Sequence, residues 1–117
     1  KRFSLSALDI AKGAGILVNI TQRSKTGPNN SAPKVLLMAP PPIGKIANNN
    51  GFFKGAEPKS KQFGELYMKV AQHCGCAFLD TAEVIHSSDL DGIHLEAGEH
   101  LKLGIKVASV IDEIFAR

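Results

Sequence analysis

The sequence predicts an α/β fold: short apolar runs alternate with amphipathic stretches in the order helix, strand, helix, strand, helix, the pattern of a parallel sheet covered by helices. Three observations carry this. Val35–Ala39 and Cys76–Leu79 are continuous apolar runs bounded by turn residues, which suits strands buried on both faces. The segments around them repeat apolar residues at helical spacing. Two such runs occur in 117 residues, and two parallel strands leave both outer edges unpaired, so the chain reads as part of one domain rather than a finished sheet.

Ser6 followed by Asp9 forms a capping box that opens the first helix, over residues 7–24. Ile10, Ala14, Leu17, Val18 and Thr21 share one face of it, and Gly13 and Gly15 each weaken it by roughly 1 kcal/mol relative to alanine. The glycines permit a close approach to a neighbour. Thr26–Pro33 is a loop by its Gly-Pro and Asn-Asn punctuation. The strand at 35–39 stops at Pro40-Pro41-Pro42, because proline lacks the amide hydrogen that a sheet interior requires. An irregular segment runs on to about Pro58, and loops of that length in compact domains are usually functional or mobile. A second helix over 59–74 buries Phe63, Leu66, Tyr67, Val70 and Ala71 and ends before Gly75. The strand at 76–79 runs into Asp80, a polar loop spans 81–94, and a last helix over 96–116 turns Leu101, Ile105, Ala108, Ile111, Ile114 and Phe115 inward.

Composition narrows the function classes. At 44% hydrophobic and 21% charged residues the chain is globular rather than disordered. Its net charge of +3 is spread along the sequence, whereas a nucleic-acid binder concentrates its basic residues in a stripe. Cys74 and Cys76, one residue apart, suit two reduced thiols, at least one of them in the core, of a cytosolic protein better than a disulfide framework or a metal knuckle. No apolar run reaches the roughly 18 residues needed to span a bilayer, and no signal peptide is visible, so no membrane partner is expected. The chain opens on Lys1, so the expectation is that its true N-terminus lies upstream.

The densest polar cluster is His86-Ser87-Ser88-Asp89-Leu90-Asp91-Gly92-Ile93-His94, after a strand and before a helix. In open α/β sheets ligands bind beyond the carboxyl ends of the strands. An Asp three residues before a His, with Gly between, can bend back so that the carboxylate accepts a hydrogen bond from the imidazole Nδ1. That leaves Nε2 free as a general base. From spacing alone a capped turn explains the same residues. A mixed metal site built from His86, Asp89, Asp91, His94 and His100 is a further alternative.

Asp91-Gly92-Ile93-His94-Leu95, continued by Glu96-Ala97-Gly98-Glu99-His100, resembles the last block of the SGNH/GDSL serine hydrolases, in the arylesterase-like branch. Leu36-Leu37-Met38-Ala39-Pro40-Pro41-Pro42 resembles that family's preceding strand and its proline-rich exit. Phe3–Ala11 resembles the segment after its Gly-x-Asn-Asp block, and the three segments occur in family order. The resemblance implies the C-terminal part of a three-layer α/β/α, flavodoxin-like domain over residues 1–117, with Asp91 and His94 as triad acid and base. It implies hydrolysis of aryl or short-acyl carboxylic esters, with no cofactor and no metal. No Gly-Asp-Ser occurs in the 117 residues, so the nucleophile and the oxyanion-hole blocks are expected in a missing N-terminal half, the chain's first partner.

The remaining site candidates come from composition. Pro41, Pro42, Ile43, Phe52 and Ile93 would line an apolar acyl or aryl group, with an ordinary surface loop or a subunit contact as the alternative for 40–53. Adjacent Phe52 and Phe53 suggest a homo-oligomer contact. Two other function classes stay open on the residues: a non-catalytic fragment or binding half-domain, and a metal-dependent phosphoesterase.

Overall fold

The computed structural model describes residues 5–48 and 54–117. Helix α1 (Ala7–Arg23) begins where the capping box places it: the Asp9 amide donates to Ser6 Oγ at 3.0 Å, and the Ser6 amide donates to the Asp9 carboxylate at 3.4 Å. After strand β1 (Leu36–Ala39) come two short helical segments, α2 (Lys45–Asn48) and α3 (Ala56–Ser60). Helix α4 (Phe63–Cys74), strand β2 (Ala77–Asp80) and helix α5 (Ala97–Ala116) complete the described α-helices and strands. The expected second helix is thus two helices, α3 and α4, broken at Lys61 and Gln62, and the irregular segment before it holds α2.

Strands β1 and β2 pair in parallel, Leu36 opposite Ala77 through Ala39 opposite Asp80. Side chains alternate across a strand, so Leu37, Ala39 and Phe78 share one face and Leu36, Met38 and Leu79 the other. The first face meets α4. Tyr67, Ala11 and Ala39 form the buried centre there, with Leu37, Phe63, Leu66, Val70 and Phe78 packed around them. Phe63 and Tyr67 meet edge to face at 5.6 Å between ring centroids. Gly75 ends α4 in the left-handed conformation, φ +69°, that a glycine adopts without steric cost. The Thr81 hydroxyl donates to the Ala39 carbonyl at 2.5 Å and ties the exit of β2 to the end of β1.

Helix α1 lies on α4 through small residues. Its buried positions are Ala7, Ala11, Gly15 and Val18, and a Cβ on Gly15 would stand 3.2 Å from Val70 Cγ1. Leu17, expected on the buried face, is instead 66% exposed, because the contact runs along the small-residue stripe and turns Leu17 away from α4. Both cysteines are free, and both are half-buried rather than core residues.

Helix α5 departs furthest from expectation. Ile114 is buried, but Leu101, Ile105 and Phe115 are 67%, 65% and 71% exposed, and Ala108 and Ile111 are exposed as well. The reason is geometric. A 20-residue helix is about 30 Å long, whereas two four-residue strands offer a platform of roughly 13 by 10 Å. The helix is therefore tied down near its ends. Toward the C-terminus, Lys34 Nζ donates to the Ile114 carbonyl at 3.1 Å and stands 5.8 Å from the Phe115 ring centre. Among the described residues no helix is long and apolar enough to cross a membrane.

Replacing Tyr67 with alanine empties the centre of the α4–sheet contact, and truncations of this kind cost about 3 kcal/mol. The expected result is a fall of that size in the free energy of urea unfolding. An unchanged midpoint would show that this core does not govern stability.

Candidate functional site

The loop between β2 and α5 begins with a helical turn at Thr81–Glu83, capped by Asp80, whose carboxylate accepts the Ala82 amide at 3.1 Å. Asp80 thus holds the loop that follows it, as its place at the strand end suggests. The chain then extends to Ser87 and folds into a tight turn over residues 88–94. The Gly92 amide donates to the Ser88 carbonyl and the Ser88 amide donates to the His94 carbonyl, each at 2.7 Å. Ser88 therefore closes both the entry and the exit of the turn.

Within it, Asp91 collects three donors. Its Oδ1 accepts the backbone amides of Ile93 at 2.8 Å and His94 at 3.0 Å, and its Oδ2 lies 2.6 Å from His94 Nδ1. The hydrogen bond from His94, assisted by the two amides, holds the Asp91 carboxyl down at about 2 from an ordinary 3.8. An ionised Asp91 accepts from Nδ1–H, which assigns the proton to Nδ1 and leaves the Nε2 lone pair outward. The His94 side chain is 81% exposed, so the ring reaches an open surface rather than the core.

Two glycines let a second loop cross this turn. Gly92 has φ +73°, and a Cβ there would meet the Ala47 amide nitrogen at 2.9 Å and the Gly44 carbonyl at 3.1 Å. A Cβ on Gly44 would stand 3.0 Å from Gly92 Cα. The Gly44 amide donates to the Gly92 carbonyl at 2.8 Å, and Ser87 Oγ donates to the Pro42 carbonyl at 2.8 Å. Farther along, Ser60 Oγ accepts the Ile43 amide at 2.9 Å. The proline-rich exit of β1 is thereby fastened to the Asp91–His94 turn and to α3.

The base of the turn rests on α5. Glu96, its N-cap, accepts a hydrogen bond from Ser88 Oγ. Glu99, 6% exposed, accepts the His86 amide at 2.9 Å through Oε1, which also lies 3.2 Å from His86 Nδ1, while Lys102 Nζ reaches its other oxygen at 2.7 Å. Lys102, with the His86 amide, lowers the pKa of the Glu99 carboxyl. Glu99, in the first turn of α5, also complements the helix dipole.

Of the sequence candidates, the fold brings Asp91 and His94 into direct contact. Pro41, Pro42, Ile43 and Ile93 are half-buried, and Pro42 is bonded through its carbonyl to the residue before the turn. Phe52 and Phe53 lie outside the described residues. The residues proposed as a mixed metal site do not converge: His86 faces Glu99, His94 faces Asp91, and Asp89 and His100 are exposed. Among the described residues no three His, Cys, Asp or Glu side chains gather at one point. Sequence reasoning assigned no role to Gly44, Ser60, Ser88, Glu96 or Glu99. Acidic residues at the N-cap and in the first turn of a helix were the one visible sign.

No protein-family model and no curated protein matches the sequence. Solved structures do. A carbohydrate acetylesterase from Sinorhizobium meliloti is 32% identical with a TM-score of 0.88, over 96% of this chain and 54% of its own. The aryl esterase of M. smegmatis is 30% identical with a TM-score of 0.86, over 95% of this chain and 54% of its own. A carbohydrate acetylesterase family member, also from Sinorhizobium meliloti, is 27% identical with a TM-score of 0.86, over 96% and 54%. The chain thus spans about half the length of each, and its α/β architecture matches the C-terminal part of these esterase folds.

Two outcomes follow. Because Asp91 is more acidic folded than in an unfolded chain, near about 3.9, its contacts stabilise the turn fully above that pH. The contribution is lost as pH falls toward and through about 2. A carbon-13 NMR titration of the Asp91 carboxyl should give a midpoint near about 2; one near about 4 would mean that the three donors are not in place. Gly92→Ala should lower the unfolding free energy by about 2 kcal/mol through left-handed backbone strain and the Ala47 clash, as measured in urea.

Proposed function

We propose that this chain, which belongs to the SGNH-type hydrolases, supplies the acid and the base of a Ser-His-Asp triad in a carboxylic-ester hydrolase. The observation that carries the reading is the 2.6 Å contact between Asp91 and His94 Nδ1, with the carboxylate fixed by two backbone amides and the imidazole open to the surface. A dyad of that form needs a hydroxyl at Nε2. The hydroxyls beside it are engaged elsewhere: Ser87 donates to the Pro42 carbonyl and Ser88 to Glu96. In this reading the nucleophilic serine and its oxyanion donors come from the rest of the same domain. That part packs on the apolar stripe of α5 and extends the two-stranded sheet.

In the reaction, His94 Nε2 takes the proton from the serine hydroxyl as its oxygen attacks the ester carbonyl. Asp91 keeps the imidazole in the required tautomer and stabilises the imidazolium that forms. The tetrahedral intermediate then collapses, and His94 returns the proton to the departing alcohol. Water attacks the acyl-enzyme by the same route, with His94 again as base, and releases the acid. The substrates are acetyl and aryl esters, the class named for the matched structures. Pro41, Pro42 and Ile43, in the loop fastened to the turn, and Ile93 within it form the acyl or aryl side of the site in this reading.

The test is p-nitrophenyl acetate hydrolysis by the full-length protein, with His94→Ala beside the parent. Loss of the general base should lower kcat by about 10³- to 10⁵-fold in a folded variant. A His94→Ala protein as active as the parent would overturn the assignment.

A further inference from the structure

We infer that Ser88 and Glu96 form a positioning pair that sets His94 for the proton transfer, an inference that rests on the esterase reading above. Ser88 is 5% exposed, and all of its polar groups are directed at the turn or its support. Its amide donates to the His94 carbonyl and its carbonyl accepts the Gly92 amide, each at 2.7 Å. Its Oγ accepts the Leu90 amide at 3.0 Å and donates to the Glu96 carboxylate. One side chain thus joins the residue before Asp91 to the N-cap of α5, two residues after His94.

Each bond has a distinct consequence for the dyad. The two backbone bonds fix how far the chain travels between Gly92 and His94. The side-chain bonds fix the turn against the start of a 20-residue helix. Glu96 is suited to the task because it is the N-cap: its carbonyl accepts the Glu99 amide at 2.9 Å and the His100 amide at 3.1 Å, so its backbone cannot drift from the helix. Without the Ser88–Glu96 bond, Asp91 and His94 could still meet. The pair would then swing as a unit relative to the sheet, and a displacement of about 1 Å at a reacting centre can cost about 10²-fold in rate.

Neither residue touches substrate or the reacting atoms, so the effect falls on kcat. In the full-length protein, Ser88→Ala should lower kcat for p-nitrophenyl acetate by about 10- to 100-fold and leave KM within about twofold. Glu96 is exposed, so its variants keep the test open if Ser88→Ala fails to fold. Glu96→Ala should reproduce the kcat loss, and Glu96→Gln, whose amide oxygen still accepts from Ser88, should restore most of it. Proton NMR supplies an independent signal. The His94 Nδ1 proton should be sharp and downfield in the parent and in Glu96→Gln, and broadened in Glu96→Ala. If Glu96→Ala keeps parental kcat while His94→Ala is inactive, the positioning role is wrong and the triad reading stands. If His94→Ala is itself fully active, the esterase reading fails first.

Discussion

The carboxylate of Asp91 is the point on which the turn over residues 88–94 depends. It gathers the amides of Ile93 and His94 and the His94 ring within one short turn, and charge-assisted hydrogen bonds of this kind are roughly twice as strong as neutral ones. The same three donors keep it ionised far into acid, and ionisation fixes the tautomer of the imidazole. The backbone follows from this. Folding the chain tightly enough for Asp91 to reach two amides and a ring demands a left-handed residue, and Gly92 occupies that position. Because Gly92 has no side chain, a second loop can cross the turn, and the Gly44 amide bonds directly to it.

The elements needed to hold that turn are modest. The two-stranded sheet and the α1–α4 layer provide one packed face, centred on Ala11, Ala39 and Tyr67. The loop leaving β2 is fastened to β1 by Thr81 and to α5 through Ser88 and Glu99. Precision at the dyad thus comes from a chain of hydrogen bonds across three segments distant in sequence, while the apolar core fixes only the platform beneath them. This division suits the proposed site, in which the imidazole would be exposed yet held in one orientation.

Local patterns in the sequence were readable where local physics decides. Ser6 and Asp9 cap α1 through contacts three residues apart, and the periodicity of Phe63, Tyr67, Val70 and Ala71 follows from one helix packed between the sheet and α1. The Asp91–His94 contact was legible for the same reason: both partners lie in one turn, and the glycine between them advertises it. Leu17, Leu101 and Ile105 were misjudged because helical spacing identifies an apolar stripe without saying what lies against it. The roles of Gly44 and Ser60 were invisible because each depends on a partner elsewhere in the chain: Gly44 meets Gly92, and Ser60 receives the Ile43 amide. A tertiary hydrogen bond leaves no period in a sequence.

The exposed stripe of α5 and the order of the dyad are physically linked. The N-terminal turn of α5 carries Glu96 and Glu99, which fasten the loop holding Asp91 and His94. The far end is fastened by the Lys34 bond to the Ile114 carbonyl, and between these points Leu101 and Ile105 remain open. A helix transmits displacement along its axis because its backbone ladder is stiff, so a surface that packs on Leu101 and Ile105 also fixes where Glu96 stands. Covering those side chains removes apolar area from water at about 25 cal/mol per Å², a driving force far broader than the few hydrogen bonds at the turn. Under the proposed function, packing on that face would help to hold the imidazole in place, which links the apolar stripe of α5 to the turn through Glu96 and Glu99.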